Sequence, residues 1–346
     1  MSEMLTLTPE GLYCASARAH IDPIRPVERA IITHGHADHA RSGHGAVLAT
    51  QQTLDIMAIR YGKNFAGNTQ AEAYGAAVQV GDVAVSLHPA GHVLGSAQVL
   101  LENWSGRTVV SGDYKRQEDP TCAPFELVHC DTFVTEATFG LPVFRHPVAS
   151  KEMNKLLTSL QVFADRTHLV GAYALGKAQR VIAELRRAGY EKTIYLHGAL
   201  EKLTRYYIDQ GIDLGEIEPV GRRGKELAGE IVLCPPGQLA DRWARRFGDP
   251  VTAMASGWMT VRARARQRGA ELPLILSDHA DWDDLCRTLA ETGAGQIWVT
   301  HGAEEALVHW CERQGLQARP LNMIGYGDGE EADTSVEQPR ETGAAV

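Results

Sequence analysis

The feature that most restricts this chain is the stretch ITHGHADHARSGHG, Ile32 to Gly45, which carries four histidines and one aspartate directly after a short apolar run. Imidazole nitrogens and carboxylate oxygens suit zinc and the neighbouring divalent transition metals. The i, i+2 spacing after a strand lets His34 and His36 reach one ion, while Asp38 and His39, where the chain turns, address a second. Gly35 and Ala37 keep the intervening side chains small, and His44 lies one turn too far along. Four ligand-type residues in six positions are hard to account for as a solvated loop. A cradle of this kind needs partners delivered by other strand ends, so it limits the folds available to the chain.

The partners are present. His92 lies in HPAGHVLGSA and Asp113 in VVSGDY, on either side of a predicted hairpin with strands at 96–102 and 107–112. A hairpin returns the chain to its starting edge, which brings Asp113 back beside His92. A carboxylate there can bridge two ions. Further on, His279 ends a predicted strand at 272–277 and His301 ends another at 296–300, with a helix at 281–293 between them. A right-handed crossover makes such strands parallel, so both histidines are expected on one edge of one sheet. Glu136 ends the strand at 131–136, and sites in α/β folds collect at such edges.

The first 140 residues read as strands and turns: AIIT, VAVSLHP, SAQVLLE, RTVVSGD and DTFVTE are apolar, β-branched runs bounded by Gly, Pro or Asp. From about 150 to 270 helical and strand patterns alternate, with LGKAQRVIAELRRAG a helix closed by Gly189. The tail 327–346 is acidic and nearly free of large apolar groups, and is expected to be disordered. There is no apolar run of membrane-span length and no signal-peptide pattern, so no membrane association is expected. Six cysteines without a CxxC pair point to a reducing, cytoplasmic setting. A net charge of −9 argues against bulk electrostatic binding of nucleic acid but leaves room for a local basic groove.

In order along the chain, HGHADH, GHVLGS, SGDY, TEATFG, SDHAD and THG resemble the metallo-β-lactamase fold nucleases of the β-CASP group, over about residues 5 to 325. That group includes the mRNA 3′-end processing endonuclease, ribonuclease J and the Artemis-type nucleases. HPAGHVLGSAQ, AYALGKAQR and ASGWM look most similar to the bacterial ligase-associated DNA exonucleases. The resemblance implies an α/β fold, a metallo-β-lactamase αββα sandwich with an inserted βα-alternating β-CASP domain. Its parts would be a sandwich segment at 1–141, a cap at 142–270 and a return segment at 271–326. Two divalent transition metal ions are implied, zinc first and manganese as the alternative. One would take His34, His36, His92 and Asp113; the other Asp38, His39, Asp113 and His301, with Asp22 orienting a ligand from behind. Asp38 would also take part in the catalysis.

The implied chemistry is hydrolysis of a DNA phosphodiester by water activated between the two ions, with His279, backed by Glu136, protonating the leaving oxygen. The implied partners are DNA single strands or ends, and a functional association with an ATP-dependent DNA ligase and a helicase in DNA repair. For the strand itself, Arg262, Arg264, Arg266 and Arg268 at alternate positions form a candidate phosphate track, with Lys177 and Arg180 as weaker contacts. The competing readings are an RNA-processing nuclease, a small-molecule hydrolase on the same core, and an inactive nucleic-acid scaffold. The insert and the later histidines disfavour the small-molecule hydrolase, and the complete ligand set disfavours the scaffold.

Overall fold

The computed structural model describes residues 4–323; the acidic tail expected at 327–346 lies outside them. The first sheet runs in chain order through β1 (Thr6–Thr8), β2 (Gly11–Cys14), β3 (Ala19–Ile21), β4 (Arg29–Ile31), β5 (His44–Ala49) and β6 (Ala66–Ala71). Helix α1 (Gln51–Tyr61) joins the last two strands. It begins where the Thr50 side chain accepts from the Thr53 amide, and stops at Gly62, whose φ is 85°. This helix departs from the expectation of strands and turns alone. Its buried residues are Thr53, Leu54, Ile56 and Met57, an apolar stripe too narrow to announce a helix in the sequence.

The second sheet begins as an antiparallel meander of β7 (Ala77–Val80), β8 (Val83–Pro89), β9 (Ala97–Asn103) and β10 (Gly106–Val110). β11 (Thr132–Ala137) then adds parallel to β10. The two sheets face each other: Leu12, Ile21, Ile31 and Leu48 of the first pack on Val85, Val99 and Val110 of the second. Each such side chain, fully buried, contributes about 1.5–3 kcal/mol. Leu54 and Met57 of α1 cover the outer face of the first sheet against Ala30 and Val47.

The third sheet is wholly parallel. β12 (His168–Gly171), β13 (Ile194–Leu196), β14 (Ile217–Pro219), β15 (Ile231–Cys234), β16 (Val251–Ala255) and β17 (Leu272–Leu274) lie in the order β14-β13-β15-β12-β16-β17. Helices α2 (Ala149–Val162), α3 (Lys177–Arg187) and α4 (Gly198–Asp209) cover one face, where Leu156, Val181 and Leu200 join Val170 and Leu233. The central strands β12 and β15 are buried along their whole length, as expected when both faces of a parallel sheet are covered. On the other face a short helix, α5 (Arg262–Gln267), follows β16.

Here the structure corrects the sequence reading. Residues 272–277 were expected as a strand beside 296–300, but only Leu272–Leu274 is extended, and it pairs with β16 in the third sheet. Leu274 and Leu276 are buried among the residues under α2 and α3. An apolar run can complete the edge of either sheet, and its pattern does not say which. The third sheet therefore runs past position 270, where the cap was expected to end.

The chain then returns to the second sheet through α6 (Trp282–Glu291), β18 (Gln296–Gly302), α7 (Glu304–Arg313) and β19 (Gln317–Pro320). The finished order is β19-β18-β11-β10-β9-β8-β7, with β18 parallel to β11. Leu285, Leu289 and Leu307 of α6 and α7 cover this sheet against Leu100, Val109 and Phe133. The layers are thus helix, sheet, sheet, helices, with the third sheet inserted between β11 and α6. No described helix is long and apolar enough to cross a membrane.

Candidate metal centre

All the candidate donors lie around one edge of the two-sheet unit. His34, His36, Asp38 and His39 follow β4; His92 sits between β8 and β9; Asp113 follows β10; Glu136 is in β11 and His301 in β18. His279 comes from the segment between β17 and α6, not from a strand end of this sheet as expected. Gly35 lets the loop after β4 press onto α1, since a Cβ there would lie 2.6 Å from Cγ2 of Ile56. Gly112, at φ 55°, turns the chain into Asp113 against Thr33.

His34 Nδ1 lies 3.0 Å from Thr33 Oγ1, His36 Nε2 lies 3.2 Å from the Leu175 carbonyl, and His92 Nδ1 lies 2.7 Å from the Asp278 carbonyl. Carbonyl oxygens only accept, and the Thr33 hydroxyl already donates to Asp22 Oδ2 at 2.6 Å. Each outward nitrogen therefore carries its ring's proton, and each inward nitrogen presents a lone pair. His34 Nε2 is 3.1 Å and His92 Nε2 2.9 Å from His36 Nδ1. Asp113 Oδ2 lies 3.4 Å from His34 Nε2 and 3.7 Å from His92 Nε2. Three lone pairs and a carboxylate oxygen so close repel one another, and a cation among them reverses the sign. Burial, reinforced by nearby His39, pushes His34 down to about 3, and burial likewise holds His92 well below the usual imidazole range.

A second group, His39, Asp113 and His301, converges within 4.8 Å. His39 Nδ1 donates to Asp22 Oδ2 at 2.8 Å, and its Nε2 is 3.5 Å from Asp113 Oδ2. Asp22, in the left-handed region at φ 46°, also accepts from the Thr33 amide at 2.8 Å, so it fixes the ring and the loop together. Asp38 is buried with Oδ2 3.8 Å from His39 Nε2, but it is not part of a convergent group. Both Asp38 oxygens and Asp113 Oδ2 are buried without a hydrogen-bond partner. Burial acts to lower His39, and Asp113, Asp38 and Asp22 outweigh it, pushing it up to about 10. A proton on that ring is the substitute for a cation between these carboxylates, so the donor set fits bound metal. Burial and then His39 push His301 down to about 3, which keeps the ring neutral.

A third group, Asp113, Glu136 and His279, adjoins the first two. His279 Nδ1 donates to Glu136 Oε2 at 2.9 Å, and Glu136 Oε1 accepts from the Tyr114 amide at 2.7 Å.

No family model matches the sequence. A protein of Opitutus terrae named Probable DNA ligase is 29% identical over 315 residues, covering 89% of this chain and 30% of that protein. A Thermus thermophilus protein named Ribonuclease TTHA0252 is 24% identical over 390 residues, covering 89% of this chain and 88% of the relative. The chain spans less than a third of the length of the first curated relatives it matches. Six motifs far apart in the chain meet around one centre, in the order the resemblance requires. These relatives match the family that the motifs resemble, the β-CASP nucleases of the metallo-β-lactamase fold. A crystal structure of a protein of unknown function from Enterococcus faecalis has a TM-score of 0.55 at 12% identity, covering 86% of this chain and 80% of that one. At that identity the likeness concerns the fold alone.

The expected nucleic-acid contacts need correction. Lys177 and Arg180 are only 1% and 0% exposed, so neither lies where a strand can touch it. Their pattern in α3 reads equally as surface charge, and the burial of the helix on all sides decides otherwise. The sequence places the four arginines at alternate positions of one expected track, but α5 turns successive residues by 100°, so alternate positions diverge. Arg264 stacks on Trp258 at 3.8 Å and, with Arg268 one turn on, lines a 240 Å³ cavity beside Tyr173, Ser256 and Met259. Arg262 and Arg266 are exposed and occupy another face.

The oxygens behind the candidate histidines were not foreseeable from the motifs. Thr33 was visible as a polar residue ending an apolar run. The Leu175 and Asp278 carbonyls carry no side-chain signal at all.

Proposed function

We propose that this chain hydrolyses phosphodiester bonds in DNA, acting as a single-strand exonuclease in repair. The observation that carries the reading is the buried set of inward-facing lone pairs and carboxylate oxygens beside the Glu136–His279 pair. The two-sheet unit is read as the metallo-β-lactamase αββα sandwich, and the third sheet with its helices as the β-CASP insert capping the site. His34, His36, His92 and Asp113 would hold one divalent ion, and Asp113, His39 and His301, with Asp38 nearby, a second, zinc or manganese. Ions there supply a water of lowered pKa and neutralise charge developing on phosphate.

The protein side chains do the rest. Glu136 accepts the Nδ1 proton of His279 and so orients the ring; in its doubly protonated form the ring also carries a proton on Nε2, which it would hand to the leaving oxygen, itself ending neutral. Tyr114, through its amide, and the burial of Glu136 keep that carboxylate from rotating away. Arg264 and Arg268 offer planar forks to phosphates of the bound strand.

The relative named a probable DNA ligase supports DNA as substrate and a functional link to a DNA ligase. The relative named a ribonuclease, matched over nearly its whole length, supports the second reading, an RNA-processing nuclease. Digestion of matched 5′- and 3′-labelled single-stranded DNA and RNA across a Zn²⁺ and Mn²⁺ series decides between them. Stepwise loss of DNA from one end supports the first reading. Cleavage of RNA with DNA intact overturns it in favour of the second, and cleavage of neither overturns both.

A further inference from the structure

Behind the metal centre lies a group of charges in the protein interior. Lys115, Asp119, Lys177, Arg180 and Asp278 are all buried, and they come from three separate parts of the chain. Lys115 Nζ donates to Asp119 Oδ2 at 2.6 Å, and Arg180 Nε lies 3.4 Å from the same oxygen. Asp278 lies 3.2 Å from Lys177 Nζ, 3.3 Å from Arg180 Nη1 and 3.8 Å from Lys115 Nζ. Burying five charges is expensive, and in a core built for stability alone apolar residues of similar volume serve at least as well.

What the group holds suggests its purpose. Lys177 Nζ donates to the Leu276 carbonyl at 2.7 Å, and Arg180 Nη1 donates to the Ser277 carbonyl. Those two bonds, with the pairs on Asp278, fix three consecutive residues immediately before His279. The same Asp278 presents its carbonyl to His92 Nδ1 at 2.7 Å, and Lys115 Nζ reaches the His92 carbonyl at 3.4 Å. One cluster, with Lys177 and Arg180 of α3 at its heart, thereby sets the backbone of the His279 segment and the proton position of a metal-facing histidine.

We infer that Lys177, Arg180, Lys115, Asp119 and Asp278 form a positioning device that docks the inserted domain onto the metal-bearing unit and holds His92 and His279 in register. They are positioning residues, since none reaches the convergent ligand atoms. The inference rests on the metal-dependent reading of the site, and metal binding can be measured whether or not the chain cleaves DNA.

The test is the charge-balanced double variant Lys177→Met/Asp278→Asn in the full chain, titrated calorimetrically with MnCl₂ and assayed on single-stranded DNA. Outer partners of metal-bound histidines typically contribute about 10–100-fold to affinity or activity. With the far-UV spectrum unchanged, Mn²⁺ affinity is expected to fall about tenfold or more, and kcat by a similar factor at constant KM. A folded double variant with wild-type affinity and kcat overturns the inference. So does a raised KM with kcat and affinity intact, which would return Lys177 to the strand-binding surface. If the double variant does not fold, Lys177→Arg carries the test, keeping the charge while displacing the contact on Leu276. A several-fold loss of Mn²⁺ affinity supports the device, and wild-type affinity overturns it. Should the wild type cleave no DNA, the DNA-nuclease reading fails while the calorimetry still decides this one.

Discussion

Replacing Glu136 by Gln isolates the proton-handling half of the site from the metal-holding half. Glu136 is fully buried and makes two bonds, accepting from His279 Nδ1 at 2.9 Å and from the Tyr114 amide at 2.7 Å. Glutamine has one oxygen for two donors. The Tyr114 amide is fixed by the backbone and takes that oxygen, so the new NH₂ group faces His279 Nδ1. That ring nitrogen must then become an acceptor, and the ring loses its charge-assisted partner. Hydrogen bonds to charged groups contribute about 1.5–3 kcal/mol, which corresponds to about 10–100-fold in rate. Single-turnover cleavage of end-labelled DNA should show kcat lower by that factor, with Mn²⁺ affinity by calorimetry unchanged. His279→Ala should lose more, about 10²–10⁴-fold, the usual contribution of a positioned acid. Because the two residues act as one unit, the double variant should be no slower than His279→Ala alone. A Glu136→Gln enzyme within twofold of wild type refutes the pairing. Loss of bound metal in step with activity in either variant would instead make the pair a structural ligand set.

Chelation should expose the weight the metal carries in folding. If EDTA strips ions present at 100 times their dissociation constant, the loss is about 2.7 kcal/mol, read as a lower melting temperature; an unchanged melt removes the metal reading. Gly257→Ala places a Cβ 2.5 Å from Cζ of Phe139, and overpacking of this kind costs about 1–3 kcal/mol; an unaltered urea midpoint contradicts it. Burial pushes the Cys130 and Cys311 thiols up to about 12, whereas an unfolded thiol titrates near about 8.5. Between those values the unfolded chain binds fewer protons, so stability should fall as pH rises through 9 to 11, and Cys→Ser variants should flatten that slope. Arg264→Ala should weaken DNA binding at every sequence and lower the salt slope by about 1; an unchanged slope removes it from the phosphate contacts.

Much of the site was legible along the chain because metal chemistry restricts residue type and spacing so tightly. The His34–His39 cluster, His92 and Asp113 could be joined through one hairpin, and β9 and β10 form that hairpin. Glu136 and His301 were legible as strand ends, and β11 and β18 lie side by side. His279 was found for a partly mistaken reason. Its strand belongs to the third sheet, so it reaches the centre because α3 clamps the segment before it.

What the sequence determined by itself was which atoms could bind metal and which runs could be strands, since both are local properties of residue type and period. Only the tertiary structure decided which sheet Leu272–Leu274 completes, and that the arginines of α5 divide into two faces. It also decided that Lys177 and Arg180 lie inside, where they hold the protein's own backbone. Those outcomes depend on which surfaces exclude water from which charges, and that is settled only when segments distant in the chain pack together.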